Sequence, residues 1–337
     1  MTVRLDIEGV SIGHYSDQAA RTGCTVVLCP NGATASVDVR GGGPGTLDTD
    51  LLSPLADPTE VHGLLLTGGS APGLAAAGGV TRFLREYGFG YQTAFGRIPL
   101  VSGAVIYDLG LGSAEVYPGP DDAYRAAASA SSLVEEGSVG VGTGATVGKM
   151  LGAGSMMKGG IALAGVRVSG GVTVAALTVV NALGDVIDER GRILAGARQG
   201  GVFLDSQRSL LTMEQMPAFG RMENTTLSVV MTDARLDKVQ CAVVARVSHD
   251  GMARAIYPVH TPVDGDSVFV LATGSRPSNV FQVGVAAAEA VATSIRRAVR
   301  IAEGCDGAPS VQDLRDQGGD SHQDPGGASG HKEVVEP

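Results

Sequence analysis

The chain has 337 residues, a formal net charge of −10, 44% apolar residues, 50 glycines, no tryptophan and only 4% aromatics. That length supports one large domain or two modest ones, and so much glycine without a collagen or linker period points to closely stacked layers and tight turns. The charges are scattered with no basic stripe, which excludes a nucleic-acid binder, and no run reaches the ~18 apolar residues of a membrane helix.

The first residues lack the apolar region of a signal peptide. Cys24, Cys29, Cys241 and Cys305 show neither CxxC spacing nor the density of a disulfide framework, so a reduced, cytoplasmic chain is expected. Six scattered histidines offer no metal-ligand pair, and neither a metal nor another cofactor is expected.

Short β-branched runs alternate with small-residue helical stretches, as in mixed α/β layers. Thr25 to Cys29 reads as a buried strand and Ala35 to Val39 as its hairpin partner, followed by a glycine-rich turn from Arg40 to Thr46. Val61 to Leu66 is a strand, and a helix runs from about Leu74 to Tyr87. Pro99 to Ile106 reads as a strand and Ala123 to Glu136 as a helix. Four more strands follow, at Val172 to Asn181, Leu227 to Asp233, Cys241 to Val247 and Ser267 to Ala272. An Ala-rich helix covers Val283 to Ala302, with Arg296, Arg297 and Arg300 at the end that favours cations. From 305 to 337 the composition turns polar and Gly-rich, and disorder is expected because little apolar surface is available to offset the ordering entropy.

Two familiar motifs fail. Gly140 to Lys149 resembles a phosphate loop, but Thr143 occupies the place of its first glycine and Met150 that of its Ser or Thr. Ser70 would need glycine at 72 for a nucleophile elbow, and Pro72 stands there.

The segment GRMENTTLSVVMTD, Gly220 to Asp233, contains Asn224-Thr225 directly before a strongly apolar run. Read locally, it is a loop entering a strand. Six segments around it, in order, change its weight: DVRGGGPGT at Asp38 to Thr46, TGGSAPGL at Thr67 to Leu74, GVGTGA at Gly140 to Ala145, KGGIALAG at Lys158 to Gly165, VNALGDV around Asn181, and NTTLSVVMTDA from Asn224. Together they resemble the family that holds L-aminopeptidase D-Ala-esterase/amidase, the β-peptidyl aminopeptidases and the nylon-oligomer hydrolase. The likeness runs from near residue 5 to residue 302. Threonine after Asn224, with Asp264-Gly-Asp266 downstream, is similar to the nylon-oligomer branch rather than to the aminopeptidases, which use serine.

The resemblance implies a four-layer αββα sandwich over residues 1–304. It further implies self-cleavage between Asn224 and Thr225 into pieces 1–224 and 225–337, assembled as a homo-oligomer, a tetramer of such units. Thr225 would be the nucleophile and its freed α-amine, titrating near ~7.7–8.0, the general base. Asn181 would donate to the oxyanion. Lys158, or less directly Lys149, would keep the amine neutral by like-charge repulsion or orient it. Asp266 would accept a hydrogen bond from Thr225, and Asp264 would position its neighbour, although Asp-Gly-Asp alone reads as a turn. Tyr107 would line the site, or else be a half-buried strand residue. The substrate would be a small peptide or a linear amide. One departure is the segment TVGKMLGAGSMM, Thr146 to Met157, which is longer than the aminopeptidase pattern and leaves specificity open. Two other readings compete: an acyl transferase like the ornithine acetyltransferases, and an uncleaved small-molecule-binding protein.

Overall fold

A computed structural model describes residues 1–214 and 224–317. Its principal elements, in chain order, are β1 (Ser11–Asp17), β2 (Thr22–Val39), β3 (Glu60–Thr67), α1 (Ala77–Glu86), β4 (Val101–Val105), α2 (Pro120–Ala128), β5 (Gly160–Arg167), β6 (Thr173–Asn181), β7 (Thr225–Ala234), α3 (Lys238–Ala253), β8 (Ser267–Arg276), α4 (Val280–Ile301) and α5 (Val311–Gln317).

Alternation along the strands explains the layers. Successive strand side chains point to opposite faces, and here both faces are apolar. Leu177, Val179, Leu227, Val229, Phe269 and Leu271 face Val27, Leu64 and Leu66 in one core. Their neighbours Val174, Ala176, Val230, Val268 and Val270 face Val244, Met252, Ala287, Val291 and Ile295 of α3 and α4 in a second. Val26, Leu28 and Leu65 meet Val80, Leu84, Ala123 and Ala126 of α1 and α2 in a third. Three cores separate four layers, giving the expected αββα sandwich. Phe269 is fully buried in the middle core. Phe269→Ala, measured by chemical denaturation of the uncut chain, is expected to cost about 3–5 kcal/mol of stability.

One strand belongs to both sheets. The first half of β2 pairs antiparallel with β1 and β3, and β4 runs parallel to β3. Its register against β3 slips between Leu28 and Ala33, where Gly32 takes φ 84°, a left-handed value that glycine adopts without a Cβ penalty. Beyond the slip, Thr34 to Val39 pair antiparallel with β8. The second sheet thus runs β5-β6-β7-β8-β2, with β7 and β8 parallel and the other pairs antiparallel. The expected hairpin of 25–29 and 35–39 is therefore one continuous, bulged strand.

Three other expectations are corrected. Cys241 to Val247 is inside α3, not a strand. Its β-branched residues suggest a strand, but the side chain of Asp237 accepts from Gln240 N while Gln240 Oε1 accepts from Asp237 N, at 2.7 and 3.0 Å, a reciprocal cap that starts a helix. Helix α2 ends at Ala128, eight residues short of the expected end. Ser129 and Ser131 turn their hydroxyls onto nearby carbonyls, and Leu133–Glu135 pairs with Thr2–Arg4 as a strand. Residues 305–317, expected to be disordered, are ordered. Ala308 and Val311 are buried, α5 follows, and Pro309 O accepts from Lys158 N at 2.9 Å. The remainder of that expectation, 318–337, lies outside the described residues.

Candidate active site

The antiparallel register of β6 and β7 places Asn181, the last residue of one strand, directly opposite Thr225, the first of the next. Asn224 and Thr225 are both buried. Thr225 Oγ1 donates to the carbonyl oxygen of Asn224 at 2.5 Å, so the hydroxyl lies against the peptide bond expected to break. The same oxygen accepts from Gly265 N at 2.9 Å. Asn224 also bridges to Asp264, which lines up the chain before the strand with the Asp264-Gly265-Asp266 turn.

That turn must approach closely, and its glycine allows it. A Cβ on Gly265 would lie 2.9 Å from Thr225 Oγ1 and 2.5 Å from Gly43 O. The glycine-rich turn after β2 is laced to this loop by its backbone: Gly43 N donates to Asp264 O at 2.9 Å, Gly42 N to Thr261 O at 3.3 Å, and Arg40 N to Asp266 O at 2.8 Å. The two motifs, more than two hundred residues apart in sequence, form one rigid wall behind Thr225.

The two aspartates have different surroundings. Asp266 Oδ1 accepts from Thr226 N at 2.6 Å, and its Oδ2 accepts from His260 N at 3.1 Å and lies 2.7 Å from His260 Nδ1. Asp264 accepts from Thr261 N at 2.9 Å and from the Thr261 hydroxyl, with a longer bond of 3.4 Å from Leu183 N. Burial first, and then the charge of Asp266, push the Asp264 carboxyl up to about 6. The folded protein takes up a proton between pH 3.8, the ordinary value, and about 6, so ionised Asp264 costs stability above that window and the cost vanishes below it. In an uncut background, Asp264→Asn is expected to melt above its parent at pH 8. The difference should shrink as the pH is lowered to 4. A gap independent of pH would contradict this.

The side chain of Asn181 is held at both its oxygen and its nitrogen. Its Oδ1 accepts from Thr146 N at 3.0 Å and Lys149 Nζ at 2.8 Å, and its Nδ2 donates one hydrogen to Tyr107 O at 3.0 Å. Lys149 also donates to the Asn181 carbonyl at 3.0 Å. A small cavity of about 70 Å³ opens beside this cluster, lined by Tyr107, Asp108, Leu111, Thr146, Lys149 and Met156 among others. It is far below the volume of a drug-sized pocket and fits a slender group. Larger depressions, around Arg82 and around Asp48 to Leu51, do not include these residues. Among the described residues, no cluster of three or more His, Cys, Asp or Glu could hold a metal ion.

Residues 4–312 match the family model described as peptidase family S58. The chain belongs to peptidase family S58. An uncharacterized aminopeptidase of Mycobacterium bovis is 40% identical over 92% of this chain and 96% of its own. A 6-aminohexanoate-oligomer endohydrolase of a Kocuria strain is 36% identical over 81% of this chain and 75% of its own. Among solved structures, the L-aminopeptidase D-Ala-esterase/amidase of Ochrobactrum anthropi, described as a variant of the Ntn hydrolase fold, superposes with a TM-score of 0.67 at 20% identity, covering 92% of both chains. A Burkholderia β-aminopeptidase superposes with a TM-score of 0.68 at 23% identity, over 92% of this chain and 91% of its own. This S58 peptidase is accordingly an amide or peptide hydrolase on the Ntn hydrolase fold. The acyl-transferase and non-catalytic readings of the sequence are set aside.

Within the S58 fold the expected site residues group unevenly. Thr225, Asn224, Asn181, Asp264 and Asp266 converge, and Tyr107 reaches the group through its backbone carbonyl while lining the cavity. Asp266 accepts from the backbone of Thr226, one residue beyond the expected donor. The two lysines have different partners. Lys158 is buried under the Gly140 motif, where its Nζ donates to Gly142 O at 2.8 Å and Ala145 O at 3.0 Å. Burial lowers its ammonium to about 8. Lys149, the less favoured choice, is the lysine whose ammonium touches Asn181. The extended segment Thr146 to Met157 lines the cavity through Thr146, Lys149, Gly152, Ala153 and Met156. Sequence reasoning missed Gly265, although the resemblance singled out the aspartates on either side of it. It also missed His260, four residues before Asp264 and carrying no local signal.

Proposed function

We propose that the chain cuts itself between Asn224 and Thr225, and that the freed Thr225 then hydrolyses amide bonds. The reading rests on the Thr225 hydroxyl lying 2.5 Å from the Asn224 carbonyl oxygen while Gly265 N donates to that same oxygen. Attack of Oγ1 on the carbonyl carbon builds negative charge on that oxygen, where the Gly265 N–H is already placed to stabilise it. Collapse expels the Thr225 nitrogen, which takes up a proton, and leaves an ester between Asn224 and the hydroxyl. Water hydrolyses the ester, giving the Asn224 carboxylate and a free Thr225 with hydroxyl and amine on one residue. The amine takes the proton of its own hydroxyl as it attacks a substrate amide.

The remaining roles follow from position. Asn181 has a second Nδ2 hydrogen beyond the one given to Tyr107, and offers it to the substrate oxyanion. Lys149 takes the part expected of Lys158. Its positive charge beside Asn181, across from Thr225, disfavours protonation of the amine. A linear amide, whose slender chain suits the small cavity beside Tyr107 and Met156, is the substrate class we favour. The name of the Kocuria relative, an oligomer endohydrolase, supports that choice.

N-terminal sequencing of the smaller fragment tests the cut. It should read Thr-Thr-Leu-Ser, and denaturing electrophoresis should show two bands near two-thirds and one-third of 34.1 kDa. A single full-length band would overturn the proposal.

A further inference from the structure

Behind Asp266 runs a chain of two histidines that the reaction described above does not use. His260 Nδ1 lies 2.7 Å from Asp266 Oδ2, His260 Nε2 lies 3.2 Å from His249 Nδ1, and His249 Nε2 lies 3.1 Å from the backbone carbonyl oxygen of Asp38. The rings meet edge to face, 4.7 Å between centroids. His260 holds φ 56°, a left-handed value that is uncommon for a residue with a side chain and costs on the order of 1 kcal/mol. Its ring is 16% exposed and that of His249 is fully buried.

Counting donors fixes the protons. A carbonyl oxygen only accepts, so His249 Nε2 carries a hydrogen. The link between the rings needs one hydrogen, and the link to Asp266 needs another. Three hydrogens on two neutral rings are one too many. The surplus resides on His249, on His260, or on the Asp266 carboxyl. His249 is the poorest host, because burial pushes its ring down to about 4 and the Arg40 guanidinium nearby adds to the effect. Asp266 is also poor: its two oxygens already accept backbone N–H groups from Thr226 and His260, which favour the carboxylate. His260 remains, with a carboxylate on one side and an acceptor nitrogen on the other. Among the described residues, the other charged groups facing the relay are Asp264 beside Asp266, and Asp38 with Arg40 and Arg246 at its outer end.

We propose that His260 is a positioning residue that stands as an imidazolium between Asp266 and His249, holding Asp266 ionised beside Thr225 so that the first proton the aspartate pair takes up on acidification falls on Asp264. The inference rests on the proposed role of Thr225. It adds a counter-charge to that site and explains why two neighbouring buried carboxyl groups can coexist there. It also gives Asp38, at the head of the glycine-rich motif, a link to the nucleophile through its backbone.

The test uses the full chain with ring-¹⁵N-labelled histidine, assigned through the backbone. At pH 7 the His260 ring should show both nitrogens protonated, and His249 should carry a hydrogen on Nε2 alone. A His260 ring with one hydrogen would overturn the inference. The second measurement follows cleavage of cell-free synthesised chain from pH 5 to 9. In His260→Gln, loss of the positive charge should move the acid limb of the rate profile up by about one pH unit, the low end of the effect of an opposite charge at contact distance. A rate lowered equally at every pH would mean a purely structural histidine and would also overturn it. Should His260→Gln fail to fold, the ring-proton count on the wild-type chain decides. A wild-type chain that is never cut would sink the proposed function, and the ring-proton count would then still support or overturn the charge on His260.

Discussion

Thr225→Ala is expected to migrate as one band near 34.1 kDa and to hydrolyse no amide above background. The substitution removes the hydroxyl and the γ-methyl but retains Cβ and the backbone, so the pairing of β7 with β6 and β8 should survive. What disappears is the atom positioned against the Asn224 carbonyl. Without it no ester forms and no α-amine is released. On the proposed mechanism the general base is then lost together with the nucleophile, and a loss of roughly 10⁴-fold or more is expected, as for removal of a hydrolase nucleophile. Thr225→Ser restores a hydroxyl at the same point and should restore the cut. A Thr225→Ala chain that still splits at this bond would require a different nucleophile.

Asn181→Ala carries the next largest effect. The uncut chain has Asn181 opposite Thr225 in register, with one amide hydrogen on Tyr107 O and its oxygen shared by Thr146 N and Lys149 Nζ. Removing an oxyanion donor costs about 10²–10³-fold in turnover. The loss should fall on kcat, because the charge it meets exists only in the transition state. The variant also leaves Thr146 N and Tyr107 O without this partner, and an unpartnered buried group costs about 1–3 kcal/mol. A thermal melt measured beside the kinetics separates the two effects. An unchanged kcat in a folded protein would remove Asn181 from the oxyanion role.

The parts of the fold that were legible in the sequence are those whose signal is local and doubly constrained. Strands buried on both faces, such as β6 and β7, appear as continuous apolar runs, and their existence followed from the residues alone. Lys238–Ala253 did not, because its β-branched face imitates such a run and the deciding contacts are the reciprocal bonds of Asp237 and Gln240. The order of motifs carried Thr225, Asn181 and the aspartates, all of which converge. It could not carry the lysine, since nothing in KGG or GKM says which ammonium is consumed by loop carbonyls. The His249–His260 relay was invisible for a related reason. Its partners Asp38 and Asp266 are brought together by the pairing of β2 with β8 and the backbone bonds that continue it.

That pairing has a consequence for the two pieces that the cut would create. The sheet order β5-β6-β7-β8-β2 sets β7 and β8 of the smaller piece between strands of the larger one. One flank is zipped from Val174–Thr232 to Asn181–Thr225, the other from Ser267–Val39 to Ala272–Thr34. Neither piece holds all the strands of this sheet. Two polypeptides would therefore melt as one cooperative body, and separating them would mean unfolding both. The new terminus at Thr225 starts a strand clamped on both sides, so a covalent break there frees an amine without freeing the backbone that aims it.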